Sequence, residues 1–136
     1  MLTILEKADL LQSAEIFREV RTQSLARVAA ITEEVSFHAR QRLYSENESP
    51  DFLLFLLEGE VMLAGKEVPE QRLTRLQTAG ALAVLANRPQ SETAVTSSPV
   101  RALRISQQAL FDAMAEDFHI TRGILRTLVS MAATRC

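Results

Sequence analysis

The sequence predicts an α+β, mainly β fold: an antiparallel β-roll or jelly-roll-like barrel, flanked by N-terminal helices and closed by two C-terminal helices. Two observations predict it. Between residues 32 and 105, short apolar stretches alternate in strand fashion and are separated by turn residues. On either side of that region, apolar residues fall at helical spacings instead. Several short strands in succession argue for a sandwich or roll and against a parallel α/β sheet.

Each element has its own signal. Leu5, Leu10, Leu11, Ile16 and Phe17 lie at helix-compatible spacings over residues 2–17, and Thr3 with Glu6 has the spacing of a capping box. A second helix is expected over 24–31, with Leu25, Val28, Ala29 and Ile31 facing inward. After Thr32 the period becomes two: Val35 and Phe37 alternate with Ser36 and His38. Strands come next at 42–45, 52–57, 60–64 and about 72–76, punctuated by Asn47-Glu-Ser-Pro50, by Gly59 and by Gly65-Lys66. A further pair covers 93–97 and 100–105, joined across Ser98-Pro99. Ser106 is placed to cap a helix running to residue 115, with Leu110, Phe111 and Met114 on one side. From about Asp117 a longer helix carries Ile120, Ile124, Leu125, Leu128, Val129 and Ala132. One domain over 1–136 is expected, with helices at 1–31, the roll at 32–105 and helices at 106–134.

Composition narrows the function classes. At 136 residues the chain is long enough to bury one core. No apolar run approaches the ~20 residues that cross a bilayer, and no secretory signal is evident, so a cytoplasmic setting is expected. Lys and Arg (15) nearly balance Asp and Glu (17), which leaves no global field for nucleic acid or an anionic membrane. The single Cys136 excludes an internal disulfide and a cysteine-rich metal site. His38 and His119 have no partners at ligand spacing, so no metal is expected. Ser91, Ser97 and Ser98 lack the strand–turn–helix setting of a hydrolase nucleophile. Glu33, Glu34, Glu46 and Glu48 read as solvated, and so do Arg122 and Arg126 on the last helix. No catalytic residue is assigned.

The most informative stretch is residues 80–93, Gly-Ala-Leu-Ala-Val-Leu-Ala-Asn-Arg-Pro-Gln-Ser-Glu-Thr. It resembles the phosphate-binding cassette of the cyclic-nucleotide-binding domain family, the catabolite-activator-like β-roll. That family's pattern runs Gly-Glu-x-Ala-Leu-Leu, a spacer, then Pro-Arg-Ser/Thr-Ala. The resemblance extends along the chain from Leu10 to Ala133. Phe37-His-Ala-Arg-Gln-Arg-Leu-Tyr-Ser-Glu-Asn-Glu is similar to Phe-x-x-Gly-x-x-Leu-x-x-Glu-Gly-Asp, with Arg40 and Asn47 at the two Gly positions. Asn is the side chain that best tolerates the left-handed backbone Gly supplies. Leu54-Phe-Leu-Leu-Glu-Gly59-Glu-Val, Leu103-Arg-Ile and Phe111 match the later strands and the subsequent helix.

The resemblance implies that a ligand would meet Gly80, Ala81, Leu82, Ala83, Pro89, Gln90, Ser91 and Thr93. Two of these depart from the pattern. Ala81 stands where a Glu binds the ribose hydroxyl, and Gln90 where an Arg pairs with the phosphate. A charge-assisted contact of the latter kind contributes roughly 1.5–3 kcal/mol, or one to two decades of affinity. Glu92 adds a carboxylate that repels phosphate. Cyclic nucleotide is therefore expected to bind weakly or not at all, and no other cofactor is expected.

These features imply a non-catalytic regulatory or sensor-like module, part of or partner to a larger signalling protein. Two other readings stand beside it: a structural protein–protein scaffold, and a true cyclic AMP or GMP binder using substitute contacts. Family members often pair through the last helix, which implies an interface of Ile124, Leu128 and Met131 for a homodimer or an effector segment. A helix-turn-helix would need roughly another 60–70 residues, so no direct nucleic-acid contact is expected.

Overall fold

A computed structural model of the protein describes residues 1–135, so the terminal thiol of Cys136 lies outside the described residues. The chain forms two compact units, Met1–Thr32 together with the chain from Gln108 onward, and Glu33–Gln107.

The first unit is helical. Helix α1, Ile4–Leu11, starts in the capping box expected of Thr3 and Glu6: Thr3 Oγ1 accepts from the Glu6 N–H at 3.1 Å, and Glu6 Oε1 accepts from the Thr3 N–H at 2.9 Å. The helix expected to run to residue 17 ends at Leu11, and a separate 3₁₀ turn covers Glu15–Phe17. Ala14 between them is extended, and the Gln12 carboxamide donates to the carbonyls of Phe17, Arg18 and Val20 at 3.2–3.4 Å. A side chain that must reach forward to three carbonyls holds a bend that no Gly or Pro announces. Helix α2, Thr22–Ala30, buries Leu25, Val28 and Ala29, as its spacing requires. Burying a Leu or Val of this kind contributes about 1.5–3 kcal/mol each.

Helix α3, Ala81–Ala86, belongs to the second unit; of the two closing helices, α4 spans Gln107–Glu116 and α5 spans Phe118–Arg135. Asp117 between them is the start signal for α5: its Oδ1 accepts from the His119 N–H at 3.0 Å. Burial of this carboxyl works to raise its pKa. Hydrogen bonds from Ser24 and from the His119 backbone, with the charge of Arg27 at 3.7 Å, outweigh that and hold it below the usual carboxylate value. A carboxyl depressed on folding stabilises the folded state above its unfolded pKa and loses that contribution as pH falls through the folded value. Asp117→Ala should therefore cost about 1 kcal/mol at neutral pH. Urea unfolding midpoints of the two proteins should begin to converge as pH falls below about 4 and meet once it is below the folded-state value, and a deficit that stayed constant throughout that fall would show that the carboxylate is not its source.

The second unit holds eight strands in two antiparallel sheets, ordered β1-β8-β3-β6 and β2-β7-β4-β5. The strands are β1 Glu33–Phe37, β2 Arg42–Tyr44, β3 Phe52–Glu58, β4 Val61–Ala64, β5 Gln71–Leu73, β6 Thr78–Ala79, β7 Thr93–Thr96 and β8 Val100–Ser106. Tyr44, Leu54, Leu56, Val61, Leu63, Leu73, Ala94 and Ala102 fill the space between the sheets. Alternation makes this core: Val61 and Leu63 point in while Met62 is half-buried and Ala64 exposed. β3 is buried on both faces from Leu53 to Leu57, so it reads as a continuous apolar run.

Two departures from the expected strands share one cause. The strand expected at 72–76 is only Gln71–Leu73, and Thr78–Ala79 is an additional strand. Between them the chain leaves one sheet for the other. Leu76 takes a left-handed φ of 71°, donates to the Leu56 carbonyl at 2.7 Å, and Gln77 accepts from the Leu56 N–H. Arg40 and Asn47 also lie in the left-handed region, at φ 62° and 72°, as two positions standing in for glycine should.

Glu34 departs from its solvated reading, since its Oε1 is buried without a hydrogen-bond partner. Glu33 instead pairs with Arg104 at 3.3 Å.

Candidate functional site

The cassette folds as a compact turn of the second unit. Gly80, with φ 83°, precedes α3. Asn87 ends that helix in the left-handed conformation, and the Arg88 N–H returns to the Ala83 carbonyl at 3.0 Å. Pro89 is exposed and cannot continue a helix. The Gln90 N–H then donates to the Glu48 carbonyl at 2.9 Å, and its own carbonyl accepts from Asn47 at 2.7 Å. The far end of the cassette is thus tied to the Asn47–Glu48 turn, which the left-handed Asn47 allows. Thr93 opens β7, and its Oγ1 accepts from the Glu46 N–H at 2.9 Å.

Side chains in this turn divide cleanly. Ala81 and Gln90 are buried, at 6% and 4% exposure. Leu82 is exposed, Ala83 half-buried and Ser91 exposed. A Cβ on Gly80 would stand 3.1 Å from Gln90 Nε2, so the carboxamide lies over the start of α3. Neither position 81 nor position 90 carries charge. Two residues after Gln90, Glu92 has its carboxyl pushed up by burial, a hydrogen bond from Ser91 offsetting this only in part. Burial also pushes the Tyr44 phenol up, with the Glu92 charge adding to the effect. The two positions where the family pattern places charged anchors are thus neutral, and the nearest charge after Gln90 in the chain is the Glu92 carboxyl, while the cation of the segment, Arg88, is exposed.

One residue that the sequence reading passed over supports the cassette. Gln107 Nε2 donates to the Val84 carbonyl and to Asn87 Oδ1, both at 3.0 Å, satisfying the end of α3. Its local signal was slight, because Gln at the first position of a helix has many uses. Among the described residues no group of three or more His, Cys, Asp or Glu is placed to hold a metal. No helix is long and apolar enough to cross a membrane among the described residues.

The second set of expected residues lies along α5. Ile124 is only 3% exposed and belongs to the interior, while Leu128 and Met131 are half-buried. Among the described residues, the large apolar side chains of α5 that stay open are Phe118, Leu125 and Val129, at 67, 57 and 60% exposure. Helical periodicity showed a wide stripe but could not say which edge of it faces inward.

An eight-stranded double sheet carrying a strand–short helix–loop cassette defines a β-roll ligand-domain architecture. Residues 34–117, more than half of the chain, match the family described as the cyclic nucleotide-binding domain. The chain belongs to the cyclic nucleotide-binding domain family.

Among curated relatives, a CRP-like cAMP-activated global transcriptional regulator of Mycobacterium tuberculosis is 26% identical over 126 residues, which are 88% of this chain and 56% of that protein. The potassium channel KAT3 of Oryza sativa subsp. japonica is 28% identical over 110 residues, 78% of this chain and 22% of the channel. The chain therefore spans about half the length of the first relative and a fifth of the second. Two solved structures share the fold. The N-terminal domain of a transcriptional regulator from Streptomyces coelicolor superposes with a TM-score of 0.80 at 20% identity, covering 93% of this chain and 94% of that one. A protein from Geobacter metallireducens gives 0.78 at 21%, covering 99% of this chain and 98% of that one.

Proposed function

We propose that this domain is a non-catalytic regulatory module of the family whose own cassette binds cyclic nucleotide weakly or not at all. We keep 1–136 as one such domain, part of or partner to a larger signalling protein in the cytoplasm. The observation that carries the reading is the pair Ala81 and Gln90: both buried, both neutral, with a burial-perturbed Glu92 beside them. The relatives' transcriptional and channel roles support regulation as the class. They do not transfer as activities, because the aligned part is a fraction of each relative. Direct contact with nucleic acid is accordingly left to whatever effector the module serves.

Calorimetric titration with cyclic AMP and cyclic GMP tests this. Dissociation constants above roughly 10 µM, or no heat, are expected. Ala81→Glu with Gln90→Arg should tighten cyclic AMP binding by about 100-fold or more, since it restores two charge-assisted contacts at roughly one to two decades each. Sub-micromolar binding by the unaltered chain would favour a true nucleotide sensor using substitute contacts, and would end the weak-binding reading.

We also propose self-association through α5. Phe118, Leu125 and Val129 are seven and four residues apart, the spacing of a coiled-coil seam. Leu125→Glu should give a monomer in sedimentation analysis, without loss of folding, because Leu125 is exposed. The corresponding change at half-buried Leu128 would confuse association with folding. An unaltered chain that is monomeric at high micromolar concentration would remove this proposal and favour a face kept for a different partner.

A further inference from the structure

A groove of about 440 Å³ lies between α2 and α4, whose walls belong to the same compact unit. From α4 it takes Ala109, Asp112, Ala113 and Glu116, which fall at i, i+3, i+4 and i+7 and so share one helix face. Ala30 and Ile31 at the end of α2 complete the floor, with Arg27 on the rim. The hollow exists because three of these residues are alanines, whose side chains stop at Cβ.

Charge on the rim is unbalanced. Arg27 is engaged by Asp117 at 3.7 Å. Asp112 has only a neutral partner, the Gln108 carboxamide at 2.9 Å, and Glu116 makes no ion pair among the described residues. Two exposed carboxylates one turn apart repel each other mildly, and a cation between them would relieve both.

We propose that this groove docks a basic amphipathic helix of a partner protein. Apolar side chains one turn apart on that helix enter the alanine-walled hollow, and Lys or Arg at the same spacing meets Asp112 and Glu116. The match of spacings favours a helix over a small cation, because both faces then repeat every turn. The lining of the groove shares no residue with the cassette.

Fluorescence anisotropy of the full chain with two labelled helical peptides tests the proposal, one built on Leu and Lys, the other on Leu and Glu at the same positions. The Lys peptide should bind and should weaken at high salt. Asp112→Lys with Glu116→Lys should weaken it about tenfold and allow the Glu peptide to bind. Ala30→Leu keeps every charge but fills the hollow from an exposed position, and it too should weaken the Lys peptide about tenfold. Circular dichroism confirms that each variant is folded. Equal binding of both peptides, binding indifferent to all three substitutions, no binding at millimolar peptide, or octylamine binding as tightly as the peptide would each overturn the proposal.

Discussion

Gly59→Ala should destabilise the protein by about 3 kcal/mol or more, a large share of the roughly 5–15 kcal/mol that holds a domain of this size together. Gly59 joins β3 to β4 at φ +98°, where an L side chain costs roughly 1–2 kcal/mol on its own. Space adds to the cost: a Cβ there would lie within 3 Å of the Pro99 carbonyl oxygen and of Val100 Cα and Cγ2. Two of those three atoms are backbone, anchored at the start of β8, the strand hydrogen-bonded to both β1 and β3. The clash therefore cannot be relieved by a rotamer change. Urea denaturation measures the effect, and Gly59→Asn separates its two causes. Asn tolerates positive φ but carries the same Cβ, so it should be nearly as damaging as Ala. Recovery of wild-type stability by Asn would show that dihedral strain, not the approach of Pro99, makes the glycine necessary.

Gly123→Ala should also destabilise, by about 2–3 kcal/mol, and here the sign is the informative part. Gly123 lies inside α5, and in an isolated helix Gly→Ala would stabilise by about 1 kcal/mol. Tertiary contact opposes this. A Cβ at Gly123 would meet Val20 Cα and Cγ2 at 2.7 Å and the Glu19 carbonyl at 2.9 Å. The helix comes so close to that segment because Thr127 joins the two: its Oγ1 donates to the Gly123 carbonyl at 3.0 Å and accepts from the Glu19 N–H at 3.3 Å. Inserting a methyl must push α5 away and stretch those bonds. A thermal melt that moved upward would mean that helix propensity wins and that this approach is not tight in solution.

Much of the fold is legible in the sequence, and the legible parts are local. The capping box of Thr3 and Glu6, the alternation of Val61 and Leu63, and the left-handed backbone at Arg40 and Asn47 each depend on residues close in sequence. The same holds for the cassette frame, since Gly80, the short α3 and Pro89 dictate their own turn. What misled was long-range. The bend after Leu11 depends on Gln12 reaching carbonyls up to eight residues away. The switch between sheets at Leu76 depends on a hydrogen bond to Leu56, twenty residues earlier by number. Periodicity marked no such partner for either residue.

The sequence by itself determined the fold class, the family resemblance and the loss of charge at positions 81 and 90, because composition and side-chain chemistry are properties of each residue alone. Tertiary structure decided which apolar residues of α5 remain open, placing Ile124 inside and Leu125 outside. It also decided that Gln90 lies buried over Gly80, that Gly123 admits no side chain, and that three alanines leave a hollow beside two carboxylates. The physical reason is common to all four. Burial and close approach are set by what a neighbour distant in sequence brings to the same place, and a residue's own chemistry does not contain that neighbour.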